Sequence, residues 1–174
     1  IQRSGETALY VEFEFQGAVV ANNLIDGAAN GISIVNFNEG GRLATVTGNI
    51  VRNLRPSPTT DPNFPSFGLA VEADTAVTGN VIEDGAQVGM LVGWGEYLRN
   101  VTITGNVVRK VGVGIAVTVQ ERAGTTVIAA NIFQATEKGA IVGHHHTRPV
   151  TGDLVNATGD LPTHLRIEGN RVSR

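Results

Sequence analysis

The hydrophobic positions of this chain fall in short alternating runs that return at a nearly fixed interval. One run reads Val46-Thr47-Gly48-Asn49-Ile50-Val51 and comes back as Val77-Thr78-Gly79-Asn80-Val81-Ile82 and Ile103-Thr104-Gly105-Asn106-Val107-Val108. Looser copies centre on Asn23, Asn131 and Asn170. A second run, of the form Gly-Ile-x-Val, occupies residues 8–11, 31–34, 68–71, 89–92, 114–117 and 139–142. Such period-2 runs of Val, Ile and Leu, bounded by Gly or Asn, are strand-forming. No stretch keeps the i, i+3, i+4, i+7 spacing of an amphipathic helix.

Successive Asn residues at 23, 49, 80, 106, 131 and 170 give a base period of 25–26 residues with two insertions. A repeat of that size holds three short strands, and no hairpin signal lies between them. The chain is therefore expected to wind as a coil, each strand pairing in parallel with its copy one coil later, about 4.8 Å away. The alternative is a β-sandwich in which Thr-Gly-Asn marks ordinary turns, but sandwiches do not repeat side-chain identity at fixed spacing. In the coil the Asn is expected at a sharp bend, in the left-handed backbone conformation that Asn tolerates best after Gly. Its amide would stack on its copies and satisfy polar groups at a buried corner.

At these residues the chain resembles the right-handed parallel β-helix repeat of pectate-lyase-like and periplasmic copper-maturation-type proteins. More narrowly, it resembles a bacterial group of twin-arginine-exported repeat proteins, a likeness that implies export but no particular reaction. The resemblance covers nearly the whole chain and implies an all-β, right-handed parallel β-helix of about six coils in one domain, 1–174. It implies binding or processing of a polysaccharide and a periplasmic or extracellular location. The repeat is specific for fold and weak for function, so a non-catalytic structural or metal-handling scaffold stays open beside it, and no cofactor is implied.

Composition narrows the partners. A formal charge of −3 and a pI near 5.8 leave no electrostatic footprint for nucleic acid. No run of about 18 apolar residues is present to span a membrane as a helix. The absence of Cys excludes disulfides and Cys-ligated metal, and leaves the compartment open. Neither end shows a segment that would cap an open stack of strands, so the chain reads as a piece of a longer protein. Its ends are expected to be covered by end-to-end stacking or a swapped segment.

Two segments interrupt the repeat. Residues 55–66 are Pro-rich and must leave the strand stack, because Pro cannot donate to a ladder. Residues 144–160 are read as a loop, although Val150-Thr151-Gly152-Asp153-Leu154 imitates the Asn run. Elsewhere Glu12 and Glu14 alternate with Phe13 and Phe15, and Asn36, Asn38, Gly40 and Gly41 mark a turn.

Equal positions in successive coils become neighbours along one face. Three residues after the Asn the column reads Asp26, Arg52, Glu83, Arg109, Gln134, Ser173. Alternating signs cancel the field that a charged polymer would need, so an ion-pair ladder is the simpler reading. The two positions directly after the Asn are both apolar in nearly every copy, yet a strand turns only one of them to the core. Either the corner breaks the alternation, the reading favoured here, or one stripe is covered by something else.

Candidate chemistry gathers just past the Gly runs. Seven residues after the start of the run stand Glu96, Glu121 and His146, with Trp94, Arg122, His144, His145 and Arg148 around them. Glu121 is the candidate base, His146 a proton carrier, and Arg148 the clamp for a substrate carboxylate, with Glu96 completing the catalytic set. His144 and His146 are the candidate metal ligands, since strand parity would put both on one face. The plainer reading is that all of these are loop residues at the root of an insertion.

Overall fold

The computed structural model describes residues 1–13, 15–36, 43–56, 61 and 63–173. Glu14, the turn residues Asn38, Gly40 and Gly41, and residues 57–60 and 62 of the Pro-rich insertion lie outside that set. The described chain is a parallel β-helix of six coils. Each coil contributes one strand to a six-stranded sheet, namely Gly17–Ala21, Leu43–Thr47, Thr75–Thr78, Val101–Thr104, Thr126–Ala129 and Leu165–Glu168. It then turns a corner into a short strand, such as Leu24–Asp26, Ile50–Arg52 or Val81–Glu83, and a second corner into a Gly-run strand. The Gly-run strands are Thr7–Glu12, Asn30–Val35, Phe67–Val71 and Val88–Val92. In the fourth and fifth coils both pieces join into the long strands Val107–Thr118 and Ile132–His145, which link the two faces into one eleven-stranded sheet.

The register follows the repeat. Leu9, Ile32, Leu69, Met90, Ile115 and Ile141 pair in succession and form an inward column. From Ile32 onward each is no more than 1% exposed. Burying an aliphatic side chain of this size contributes roughly 1.5–3 kcal/mol, so these columns are the main source of stability. The Gly of the run has a steric cause. A Cβ on Gly89 would lie 2.5 Å from the Gly114 carbonyl oxygen and 2.5 Å from Val108 Cγ1.

The Asn column forms as expected, but the backbone bend belongs to its neighbour. Asn80 Oδ1 accepts the backbone N–H of Asn49 at 3.0 Å and its Nδ2 at 2.9 Å. Asn80 Nδ2 donates in turn to the Val46 carbonyl at 2.9 Å and to Asn106 Oδ1 at 3.0 Å. The same pattern runs from Asn23 to Asn170, and the four inner members are buried. Positive φ falls on the residue before the Asn: Asn22, Gly48, Gly79, Gly105, Ala130 and Gly169. The Gly of Thr-Gly-Asn thus makes the turn, and the Asn is left to tie coils together.

The apolar pair after the Asn does not break the alternation. Ile25, Val51, Ile82, Val108 and Phe133 point inward, all at 1% exposure or less, whereas Leu24, Ile50 and Ile132 point out at 45%, 42% and 48%. The corner instead lies two residues further on, where Gly27, Asn53, Asp84, Lys110 and Ala135 take positive φ. In the neighbouring outward column, Arg52 pairs with Asp26 at 2.9 Å and Arg109 with Glu83 at 2.6 Å.

The second insertion is only partly a loop. Arg148–Asp153 is a strand that folds back antiparallel onto Ile132–His145. A 3-10 turn, Leu154–Asn156, follows it, and Leu154 and Val155 pack against the core. This arm closes the C-terminal end of the Gly-run face. It supplies the cap that the sequence did not advertise, because a hairpin built on His146 and Thr147 carries no Asn-Gly or Asp-Gly turn signature.

Candidate functional site

The outward positions of the Gly-run strands form a second column: Tyr10, Ser33, Ala70 and Leu91, in register. Small side chains at Ser33 and Ala70 leave a floor, and bulkier groups rise around it. Phe64, from the end of the Pro-rich insertion, stacks on Trp94 with ring centroids 5.9 Å apart and planes 29° from parallel. The result is an open groove of about 580 Å³ across the outer face.

Its polar groups come from each edge. Glu72, the residue after the Phe67–Val71 strand, has its carboxylate held by the backbone N–H of Asn36 at 3.0 Å. Tyr10 donates its hydroxyl to Glu12 at 3.4 Å. Partial burial, and then the negative charge of Glu12, push the Tyr10 phenol above its usual value. Ser33 is 6% exposed and sets its side chain in the floor of the groove. Asp61 and Glu6 complete the acidic margin, and among the described lining residues there is no Lys, Arg or His.

The residues proposed from sequence lie elsewhere. Glu96 is taken up in an exposed ion pair with Arg122 at 2.8 Å. Glu121 sits in the neighbouring turn, exposed, and Arg148 is exposed on the capping arm opposite His145. None of Glu96, Glu121, His146 and Arg148 lines the groove. His146 touches one of the groove's lining residues, its ring 4.7 Å from Trp94 in an edge-on contact.

A β-bulge explains why the three expected partners do not share a rung. Val111 pairs with Thr136 but Val113 with Gly139, so Gly112 faces two residues, Glu137 and Lys138. Beyond that point Ile115 pairs with Ile141, and the last Gly-type run is Ala140-Ile141-Val142-Gly143, one residue later than the repeat implies. His146 accordingly stands beside Gln120 and Gly95. A Cβ on Gly95 would lie 2.9 Å from His146 Nε2 and 3.0 Å from Gln120 Oε1.

Nor do His144 and His146 face one ion. His146 has positive φ at the hairpin turn, which breaks the strand parity, and its side chain is exposed. His144 is 4% exposed and paired in register with Thr118. Both of its ring nitrogens and Thr118 Oγ1 are buried without a well-formed hydrogen bond. Burial pushes the His144 imidazole below its usual value, against a weaker opposing effect of the Thr147 backbone. Among the described residues no group of three or more His, Asp or Glu side chains is placed to hold a metal ion.

The groove was legible in part. Trp94 stands out in the sequence beside Glu96 and His146, and the Pro-rich insertion 55–66 ends two residues before the Gly68 run. The outward parity of Tyr10 and Ser33 is the sequence signal that points to this face. Comparison of the chain with protein-family models, curated proteins and solved structures returns no match.

Proposed function

We propose that this protein binds a polysaccharide segment laid along the coil axis in the groove between Tyr10 and Trp94. The observation that carries the reading is the make-up of the groove: aromatic rings at both ends, with hydroxyl and carboxylate groups between them. Aromatic faces pack against the apolar C–H faces of sugar rings, and a few fixed polar groups orient the hydroxyls. Tyr10 belongs to the first Gly-run strand and Trp94 follows the fourth. Three coil steps of about 4.8 Å separate them by roughly 14 Å, the length of a short oligosaccharide.

The acidic margin favours neutral glycans over polyuronates, which would meet like charge at Asp61. Glu96, Glu121, His146 and Arg148 stand outside the groove, and the proposal made for the groove is one of binding. Likeness to the pectate-lyase-like group and an exported location belong to the same proposal.

Trp94 is the only Trp in the chain, so its fluorescence reports directly on the groove. Titration with neutral oligosaccharides is expected to shift its emission, and Tyr10→Ala to weaken binding at least ten-fold. Glu121→Gln, outside the groove, is expected to bind as the parent does. An unchanged emission across neutral and acidic glycan panels, with no heat of binding by calorimetry, would refute the reading.

A further inference from the structure

The short-strand face carries two outward columns side by side. One is apolar: Leu24, Ile50, Val81, Val107 and Ile132, with Leu24, Ile50 and Ile132 between 42% and 48% exposed. The other alternates in sign: Asp26, Arg52, Glu83, Arg109. A contiguous apolar stripe on a flat sheet face marks a contact surface more often than isolated exposed residues do. The face lies away from the groove, and none of these residues lines it.

We infer that this face docks on the same face of a second copy, with the two coil axes antiparallel. The charge order decides the geometry. A two-fold axis along the strands reverses the coil order while keeping column on column. Asp26 then meets Arg109 of the second copy and Arg52 meets its Glu83, while Leu24 packs on Val107 and Ile50 on Val81. A two-fold axis along the coil keeps the coil order and reverses the strands, so it sets Asp26 against Asp26 and Arg52 against Arg52 or lays the charged column on the apolar one. Like-charge repulsion opposes the first and desolvation of the charges the second.

The intrachain pairs Arg52–Asp26 and Arg109–Glu83 hold the column in place. Docking turns it into a checkerboard, in which each charge has opposite neighbours along its own column and across the interface. Burial of the apolar stripe supplies the attraction, and the charge order selects the orientation. The face measures roughly 24 Å by 15 Å, from five coils and about five residues of extended chain. That is below the ~800 Å² per partner of a standard interface, so the dimer is a weak, reversible one.

Sedimentation velocity from micromolar to millimolar concentration tests this on the 174-residue chain. The parent chain is expected to pass reversibly from monomer to dimer. Ile50→Lys, at an outward position, is expected to keep the parent's melting temperature and to weaken dimerisation at least ten-fold. Inverting the whole column (Asp26→Arg, Arg52→Asp, Glu83→Arg, Arg109→Glu) should preserve self-association, because the order stays self-complementary. The inverted and parent chains should not pair with each other. A parent chain that stays monomeric at millimolar concentration overturns the inference. So does a dimer that survives Ile50→Lys, or free mixing of parent and inverted chains.

Discussion

The carboxylate of Asp153 accepts the backbone N–H of Ala140 at 2.8 Å and that of Ile141 at 3.2 Å, with the N–H of Val155 at 3.1 Å on the same group. Asp153 thus occupies donors on the edge of the last Gly-run strand that a further coil would otherwise have taken. It also starts the 3-10 turn that lays Leu154 and Val155 against the core. An edge strand left open is a template for pairing with another chain.

Asp153→Ala is therefore expected to cost about 2–4 kcal/mol, since hydrogen bonds to a charged acceptor contribute more than neutral ones and several donors lose their partner together. Chemical denaturation measures the loss, and light scattering should show new aggregation through the exposed edge. A variant as stable and as monodisperse as its parent would remove the capping role.

The Asn ladder predicts a sharp contrast between two substitutions. Asn80→Leu removes the acceptor of two Asn49 donors and the donor to Val46, all at a buried corner. A loss of about 3 kcal/mol or more is expected, because each stranded buried group costs roughly 1–3 kcal/mol. Arg109→Gln breaks only a part-exposed ion pair with Glu83 and should cost less than about 1 kcal/mol. Equal losses in urea titrations would contradict the ladder.

Two glycines separate crowding from backbone conformation. Gly89→Ala would drive a Cβ to 2.5 Å from the Gly114 carbonyl, between two coils that cannot part without breaking their ladder. Gly105→Ala meets nothing closer than Thr78 Oγ1 at 3.9 Å, but its φ is +64°. The second should cost about 1–2 kcal/mol, the strain of a left-handed Ala. The first should cost more, and the order of melting temperatures tests this.

Acidification should weaken the fold through His144. Burial holds its native-state imidazole below the usual value near 6.5, so the unfolded chain binds a proton that the native chain refuses. Stability is then full well above about pH 6.5 and falls as the pH drops through that unfolded value. The melting temperature should decline between about pH 7.5 and 5.5, and His144→Leu should flatten that slope. An unchanged slope in the variant would assign the pH dependence to other groups.

Much of this architecture is written in the chain itself. Asn at a 25–26-residue interval specifies coils, because an amide that must meet its own copy dictates the same register at every turn. Alternation around the Gly runs specifies which column is core, and the signs of Asp26, Arg52, Glu83 and Arg109 specify an ion-pair ladder. These are nearest-neighbour relations between identical positions, and a repeat makes them readable in one dimension.

What the tertiary structure alone decided concerns departures from the repeat. The two residues of the bulge at Glu137 and Lys138 shift the final rung, so His146 meets Trp94 and Gln120 instead of Glu121. The His146–Thr147 turn lacks a hairpin signature, so the capping arm and its Asp153 were invisible until folded. The groove depends on Phe64, which reaches Trp94 across a sequence separation of 30 residues and more than one coil. Periodicity reports which position stacks on which. It is silent about where one extra residue is absorbed, or onto which face an insertion folds, because those outcomes are settled by packing between parts of the chain that share no repeat.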